Sequence, residues 1–303
     1  MGNKTILKNV LRYKYLYLLF LPVFVWYILF RYVPMYGIII AFKNYNVFTG
    51  IVKSPWVGFL YFQQFFESVF FWRLIKNTLV ISFYGLIFGF PAPILLALLF
   101  NELKDGFFKK TAQTISYLPH FISTVIIVSM FVEFLSPTRG LINNIIAAFG
   151  GERVYFLGDP KYFRTIYTVM NIWRGIGWGT IIYLAALTGV NPELYEAAII
   201  DGCGRLRQVF HITLPCLANT IIIMLIFRVG ELLSVGSESI ILMYNPAIYE
   251  TSDVISTYVY RRGLVESQYS FGAAVGLFNA VVGLLLIGIT NALAKRYSET
   301  SLW

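Results

Sequence analysis

The chain has 303 residues, of which 58% are hydrophobic, 18% are aromatic and only 13% are charged. Because a soluble domain carries about 25% charged residues, this composition excludes an ordinary soluble globular protein and predicts a membrane protein. The formal net charge of +9 at pH 7 would suit a nucleic-acid partner, but the basic residues follow a membrane topology instead, as described below.

Six apolar runs are long enough to cross the hydrocarbon layer, which is about 30 Å thick and takes about 20 helical residues. They are continuously apolar and do not alternate, so they predict helices and not barrel strands. The predicted fold class is therefore all-α, a polytopic membrane protein with six transmembrane helices. The expected spans cover residues 15–33, 79–100, 114–134, 166–187, 217–235 and 272–293.

The basic residues predict the orientation of these spans. With both termini in the cytoplasm, the segments on the cytoplasmic side hold 11 Lys and Arg in 59 residues, and those on the opposite side hold 11 in 111. A density about twofold higher inside agrees with the positive-inside rule, and it leaves a nucleic-acid partner unsupported. We expect a cytoplasmic tail at 1–14, a membrane domain at 15–293 with a cytoplasmic loop at 191–215, and a cytoplasmic C-terminus at 294–303.

The first two spans carry signals of anchoring and of bending. The first apolar run continues to Phe30 without a small-residue cleavage site, so we expect a retained span and not a signal peptide. The aromatic, amphipathic stretch at 56–72 predicts an interfacial helix that leads into the second span. Pro91 and Pro93 predict a kink in that span, because proline removes a backbone donor. Such a kink suits either helix packing or a bend that lines a pathway.

The fourth span carries polar residues that a lipid-facing helix would avoid. Asn171, Gly175 and Trp178 are spaced at i, i+4 and i+7, which places them on one predicted helix face. Arg174 lies beside that face, and an arginine near the centre of a span costs roughly 2.5–3.5 kcal/mol and usually faces a bundle interior or water. Gly175 and Gly179 form a small-xxx-small pair suited to close helix packing.

The fifth span repeats this pattern. Arg228 and Glu231 are expected to stand one turn apart, on a single helix flank with Leu232 and Val235. Such a pair either neutralises itself or lines a polar translocation pocket. Arginine forms bidentate bonds to carboxylates, so an arginine-lined pocket would suit acidic or multiply hydroxylated glycans. The residues expected to line the pathway are Asn171, Trp173, Arg174, Gly175, Trp178, Arg228, Glu231, Leu232 and Val235.

The loop at 191–215 separates these two spans and is too polar to lie in lipid. Asn191 is a predicted helix N-cap, and Pro192 takes the first helical position. Gly202 then breaks this helix and lets the chain turn with positive φ. A second helical piece is predicted over residues 205–212, ahead of the next span.

The two cysteines, Cys203 and Cys216, fall in or beside this loop. No CxxC pair or Cys/His cluster accompanies them, so we expect reduced thiols, no disulfide and no metal site. His120 has no Ser, Cys or carboxylate arranged with it at a recognisable spacing, so a catalytic role is not predicted.

The loop resembles the EAA loop of bacterial ABC importer permeases, although it departs from the family pattern at Cys203 and Asn219. The resemblance lies in the spacing of Glu196, Ala197, Ala198, Gly202, Ile212, Leu214 and Pro215. Further stretches resemble the oligosaccharide and polysaccharide importer permeases of the maltose-permease type. These stretches are YVPMYG, IIIAFKNYN, FGFPAPILLALL, SYLPHFIS, GWGTIIYLAAL, TYVYRRGL and ETSLW.

The resemblance implies the fold of a type I ABC importer permease, a multi-pass protein of the bacterial cytoplasmic (inner) membrane. Such a permease is half of a heterodimer with a second, related permease. Two ATPase subunits lie on the cytoplasmic side, and a substrate-binding protein docks outside. ATP and Mg belong to the ATPase, so this chain is expected to bind no cofactor and to be no enzyme. The residues implied to couple it to the ATPase are Glu196, Ala197, Ala198, Asp201, Gly202, Arg205, Ile212, Leu214 and Pro215.

In maltose-type members a substrate site lies on the span before the loop and on the span after it. By position relative to Glu196, Asn171, Gly175 and Trp178 fall on one side of that site. Arg228, Leu232 and Val235 fall on the other side. They depart from the neutral polar residues expected for maltose.

Two other classes of function fit a chain of this composition, a stand-alone secondary carrier and an integral membrane glycosyltransferase. No GxxxxGK[ST] phosphate loop is present, so the chain supplies no conventional ATP site. A proton- or ion-coupled carrier should show carboxylates within its spans, and Glu231 is the one clear intramembrane acid. A glycosyltransferase needs paired acids near a membrane face, and the one cytoplasmic candidate pair, Glu196 and Asp201, lies in an alanine- and glycine-rich context that favours docking.

Overall fold

The computed structural model describes residues 12–233 and 235–297, which are mostly helical. Within these ranges there is no β-strand, and one antiparallel bridge joins Lys43 to Trp56. The longer α-helices are α1 (Lys14–Tyr27), α2 (Leu60–Phe66), α3 (Phe71–Tyr84), α4 (Pro91–Glu102), α5 (Phe107–Phe121), α6 (Thr124–Phe134), α7 (Leu141–Ala148), α8 (Pro160–Leu187), α9 (Pro192–Ile200), α10 (Leu214–Gly230), α11 (Ser237–Met243) and α12 (Tyr269–Tyr297). Four π turns extend or interrupt them, at Ile28–Tyr32, Gly85–Gly89, Val209–Thr213 and Tyr260–Val265.

The chain forms two compact units. The first comprises residues 12–67 and 261–277 of the described part. In it, α1 continues through the first π turn and a 3-10 segment, so the predicted first span at 15–33 extends to Phe42. The predicted interfacial helix at 56–72 is shorter than expected, because only Leu60–Phe66 is helical before α3 begins.

The second unit comprises residues 68–260 and 278–297 of the described part, and its buried core surrounds α8. Phe163 and Met170 on α8 are almost fully buried, and they belong to one apolar cluster with Ile81, Ile127 and Ile240. A second cluster, at the other end of α8, contains Ala97, Tyr183 and Leu217. The core therefore holds α3, α4, α6 and α10 around one long helix.

Four helices among the described residues are long and apolar enough to cross a membrane, and a bent pair makes a fifth candidate. The four are Lys14–Phe42, Phe71–Glu102, Arg205–Gly230 and Tyr269–Arg296, and the pair is Phe107–Phe121 with Thr124–Phe134. The predicted fourth span at 166–187 lies within α8, whose 28 residues are long enough but do not form one of these apolar spans. The chain is thus a multi-pass helical membrane protein. The described residues contain four or five candidate spans by length and composition, so the predicted count of six stays a prediction.

The third predicted span, 114–134, is not a continuous helix. Its two halves, α5 and α6, are bent by 100° at Ile122 and Ser123. Ile122 is extended (ψ 135°), and the Ser123 side chain accepts a hydrogen bond from the Ile126 N–H at 3.4 Å. Ser123 is therefore the N-cap of a new helix, α6, and the continuous apolar run of the sequence contains a helix break at residues 122 and 123.

The fifth predicted span is wrong at both ends. The second loop helix, expected to end near residue 212, runs without a break into the span, so that Arg205–Gly230 is one helix of 26 residues. The π turn Val209–Thr213 precedes Pro215, which lies in the first turn of α10, where a missing N–H is tolerated. The helix ends at Gly230, five residues before the predicted end at 235.

Side chains of other elements bind the backbone just beyond this helix end. Ser82 donates a hydrogen bond to the carbonyl of Leu232. Asn279 donates to the carbonyl of Leu233 at 3.3 Å, and Ser256 donates to that of Val235 at 2.9 Å. These bonds satisfy backbone acceptors of the segment after α10, which lies outside the helix.

Of the three glycines on α8, Gly177 packs most closely against a neighbouring helix, and of the predicted pair Gly175 and Gly179 only Gly179 packs closely. A Cβ on Gly177 would lie 2.0 Å from the Ser116 carbonyl oxygen of α5. Gly179 packs against the Pro93 ring of α4, whereas a Cβ on Gly175 would meet nothing within 4 Å. Gly175 therefore does not serve close packing.

Candidate functional site

A cavity of about 560 Å³ lies within the second unit. Helices α3, α4, α8 and α10 surround it, together with the π turn Gly85–Gly89 and the turn that follows α10. Its walls are mostly apolar, and the polar groups in them are few. The polar and charged lining residues are Ser82, Tyr167, Thr168, Asn171, Tyr183, Arg228 and Glu231.

The structure brings six of the nine predicted pathway residues together in the walls of this cavity. They are Asn171, Gly175, Arg228, Glu231, Leu232 and Val235. Leu232 and Val235 reach it from the turn beyond α10 and not from the predicted helix flank.

The other three predicted residues lie outside the cavity lining. Trp178 stacks on His120, with ring centroids 4.4 Å apart and an interplanar angle of 2°. Trp173 lies against Phe131, with ring centroids 6.0 Å apart. Arg174 is half-buried but does not line the cavity. The i, i+4, i+7 spacing holds for Asn171 and Gly175, and it fails for Trp178 because the indole packs on α5.

Arg228 is the cation in the cavity wall. No ion pair joins it to Glu231 or to any other acid in the part of the chain that the structure describes. The predicted alternative of a self-neutralising Arg–Glu pair therefore has no support. The guanidinium lies against the backbone of Gly85, in the π turn of the opposite wall. An arginine without a protein carboxylate is available to an anionic ligand.

Gly85, Ser82 and Tyr167 line the cavity but were not predicted from the sequence. The predicted kink in the second span is a π turn, Gly85–Gly89, in which the Phe90 N–H donates to the Gly85 carbonyl at 2.9 Å. Gly89 and Pro93 line the cavity, so the bend borders a pathway as well as packing. The signal in the sequence was Gly85 and Gly89 ahead of Pro91 and Pro93, which marks a bend in the helix. Because π turns recur at functional sites, such a bend indicates residues to consider for the site.

A buried polar network lies one helical turn from the cavity, beyond Ile81 on α3 and Thr168 on α8. Asp253 is fully buried and accepts a hydrogen bond from Arg73 Nη2 at 3.1 Å and another from Thr257 Oγ1 at 2.9 Å. Asn77 donates to the Asp253 carbonyl at 3.0 Å, and Arg164 Nη2 donates to Asn77 Oδ1 at 2.8 Å. The network fixes α3, α8 and residues 250–257 to one another.

The predicted coupling loop begins as the sequence indicates. Asn191 caps α9, because its side-chain oxygen accepts from the Glu193 N–H at 3.0 Å. At the other end, the Cys203 N–H donates to the Ala198 carbonyl and the Gly202 N–H donates to the Ile199 carbonyl. This is a Schellman motif with Gly202 at φ 73°, so the predicted positive φ is confirmed.

Two side-chain hydrogen bonds hold the halves of the loop together. The hydroxyl groups of Tyr195 and Thr213 lie 2.9 Å apart, and Gln208 Nε2 donates to the Cys203 carbonyl at 2.8 Å. Arg205 approaches Glu102, at the end of α4, at 4.0 Å. In the adjoining turn, a hydrogen bond from Lys109 and its charge lower the pKa of the exposed Asp105 carboxyl.

The loop presents an exposed surface of mixed chemistry. No residue of α9 is buried, and Glu196, Ala197 and Asp201 are exposed beside large apolar side chains. Ile200 is 84% exposed, which is unusual for an isoleucine unless another surface covers it. The exposed apolar residues are Leu194, Ile199, Ile200, Leu206 and Phe210.

Comparison with known proteins adds independent findings. A profile of the family described as "Binding-protein-dependent transport system inner membrane component" matches residues 89–299. The chain is 47% identical over 301 residues to the polygalacturonan/rhamnogalacturonan transport system permease protein YteP of Bacillus subtilis (strain 168), covering 99% of this chain and 94% of that protein. It is 45% identical over 292 residues to Protein LplB of the same organism, and this match covers 96% of this chain and 92% of that protein.

Two solved structures are also similar. One is a bacterial ABC transporter involved in the import of the acidic polysaccharide alginate, with a chain that is 46% identical at a TM-score of 0.89. The other is a bacterial alginate ABC transporter in complex with an alginate pentasaccharide-bound periplasmic protein, with 46% identity and a TM-score of 0.90. Each match covers 97% of this chain and 99% of the chain compared.

Proposed function

Because this chain belongs to the family of binding-protein-dependent transport system inner membrane components, we propose that it imports oligosaccharides that carry carboxylates and binds them through Arg228. As a permease subunit of an ABC importer, it forms a pathway and performs no chemistry on its cargo. The carrier and glycosyltransferase alternatives gain no support from relatives that match along nearly the whole chain.

The observation that carries the proposal is an arginine in the cavity wall that has no acidic partner among the residues that the structure describes. A guanidinium matches the two oxygens of a carboxylate, and hydrogen bonds to charged groups contribute about 1.5–3 kcal/mol. The cavity of about 560 Å³ falls within the usual range of small-molecule sites, roughly 300–1,000 Å³. The acidic glycans named for the similar permease and the similar solved transporters support the same substrate class.

We propose that the loop at 191–215 faces the cytoplasm and couples the permease to a partner ATPase, which binds ATP and Mg. The exposed apolar side chains of Ile199, Ile200 and Leu206 provide a surface for docking. The residues assigned to this coupling remain those predicted, namely Glu196, Ala197, Ala198, Asp201, Gly202, Arg205, Ile212, Leu214 and Pro215.

The remaining partners follow from the same assembly. A second, related permease completes the pathway, two ATPase subunits bind on the cytoplasmic side, and an extracytoplasmic binding protein delivers the glycan. The periplasmic protein in one similar structure supports the last of these. Purification from the native membrane in mild detergent tests the set: wild type should retain an ATPase and a second permease, whereas Gly202→Arg should lose the ATPase. A chain that purifies alone in both samples would contradict the proposal.

The substrate class is tested by uptake into proteoliposomes that contain the whole transporter and its binding protein. The paired substrates are short galacturonate or alginate oligosaccharides and their methyl esters, which differ in charge and little in shape. Arg228→Ala should lower the ratio of acid to ester uptake about 10-fold or more relative to wild type. Arg174→Ala is the matched control, because that arginine does not line the cavity. An unchanged acid-to-ester ratio in Arg228→Ala would count against the proposal. Because wild type and variants are assayed with the same binding protein, its own preference between acid and ester does not affect the comparison.

A further inference from the structure

The Arg228 guanidinium lies beside a glycine of the π turn in the cavity wall. A Cβ built on Gly85 would lie 2.5 Å from Arg228 Nη2 and 3.7 Å from Cζ, and it would meet no other atom within 4 Å. A separation of 2.5 Å is below any ordinary carbon–nitrogen contact, so the guanidinium occupies space that a side chain at position 85 would take.

This glycine is not required by the local backbone. Gly85 has φ −62° and ψ −34°, which is ordinary helical geometry that alanine adopts without strain. The backbone therefore does not account for a glycine here, whereas the contact with Arg228 does. Because the contact is with the mobile end of a long side chain, an added methyl group would displace the guanidinium and leave the helices in place.

Gly89 provides an internal comparison. It lies in the same π turn and lines the same cavity, but a Cβ there would approach only Ile172 Cγ1, at 3.9 Å, which is an ordinary contact. The two glycines thus differ in one respect that bears on the ligand, which is the contact with Arg228.

We infer that Gly85 is a specificity-determining residue, which keeps open the notch that holds the Arg228 guanidinium in the cavity wall. The inference rests on the proposed function, since it takes Arg228 as the group that binds the glycan carboxylate. A methyl group in the notch moves the guanidinium, so the acidic glycan loses its bidentate partner while a neutral glycan of the same shape does not. Position 85 therefore sets the preference for charged over neutral glycans through the position of Arg228.

A double-mutant cycle tests this inference with the same acid and methyl-ester uptake assay. Gly85→Ala should lower the acid-to-ester ratio about 10-fold and leave ester uptake measurable. In an Arg228→Ala background the same substitution should change the ratio by less than about twofold, because the group it displaces is already absent. Gly89→Ala, the matched control, should keep the ratio within about twofold of wild type.

Each other outcome has a definite meaning. If Arg228→Ala lowers the ratio but Gly85→Ala behaves like Gly89→Ala, the inference fails and the proposed function stands. If Arg228→Ala leaves the ratio unchanged, both fail together. Equal effects of Gly85→Ala with and without Arg228 would show an action through cavity shape, which overturns the inference. Loss of ester uptake in both Gly85→Ala and Gly85→Ser would also overturn it, because the notch would then support the fold.

Discussion

The hydroxyl groups of Tyr195 and Thr213 lie 2.9 Å apart and join the first helix of the loop at 191–215 to the helix that enters the membrane. Thr213 is buried at the π turn, whereas most of α9 is exposed. This bond and the one from Gln208 to the Cys203 carbonyl are contacts through which a force on α9 would reach the next helix.

Replacing Tyr195 by Phe should loosen that connection without removing the ring. The loss of one hydrogen bond costs about 1 kcal/mol. We expect the transporter to hydrolyse more ATP for each glycan imported, measured by simultaneous ATPase and uptake assays in proteoliposomes. Tyr155→Phe is the control, since that ring is exposed and lies in a different segment. Equal coupling in both variants would contradict a mechanical role for the bond.

The positive φ of Gly202 predicts a difference between two neighbouring glycines. Gly202→Ala forces a Cβ into the left-handed region and should destabilise the loop by about 1 kcal/mol. Gly204→Ala is the matched control, because Gly204 has φ −69° and open space around it. We expect a several-fold loss of co-purifying ATPase for the first substitution only. If both variants retain the ATPase equally, the Schellman turn does not determine docking.

The buried ion pair near the cavity predicts a loss of stability. Asp253→Asn leaves the Arg73 guanidinium without its carboxylate. Breaking a buried ion pair costs about 3–5 kcal/mol, and we expect about 3 kcal/mol here because the Arg73 side chain is one-third exposed. The midpoint of thermal unfolding in detergent should fall clearly. Glu133→Gln, which breaks an exposed pair with Arg139, should change it little, since such pairs contribute about 0–1 kcal/mol.

Two glycines on α8 should differ in their response to the same substitution. Gly177→Ala places a Cβ 2.0 Å from the Ser116 carbonyl oxygen, which is backbone and cannot rotate away. Overpacking of this kind costs about 1–3 kcal/mol or more, so the yield of folded protein and its unfolding midpoint should drop. Gly175→Ala meets nothing within 4 Å and should fold like wild type. Comparable losses would mean that glycine flexibility, not packing, matters along this helix.

The sequence predicted features that depend on neighbouring residues and missed those that depend on distant ones. Asn191 and Gly202 act on backbone groups within a few residues, and both behave as predicted. Pro215 suggested a helix boundary, but the π turn before it let the helix continue. Just beyond the end of that helix at Gly230, the Leu232 carbonyl accepts a hydrogen bond from Ser82, a residue far away along the chain, and no local pattern predicts this bond.

The candidate cavity shows the same limit. Asn171 and Arg228 were recognisable because polar groups are rare within spans, whereas Gly85 carries no chemical signal of its own. Its importance arises only when folding places it against a side chain from another helix. For Trp178, the helical spacing was right and the neighbour, His120, decided the outcome.

The helix Arg205–Gly230 begins within the loop at 191–215 and has Arg228 near its other end. At about 1.5 Å per residue this helix is roughly 40 Å long, and its one irregularity is the π turn Val209–Thr213, close to the loop. If the helix tilts as a rigid body at the loop, its far end moves sideways by a distance that grows with the length of the helix. Under the proposed coupling, a tilt of this helix would shift the Arg228 guanidinium relative to Gly85, so the same movement would weaken its proposed contact with the glycan carboxylate.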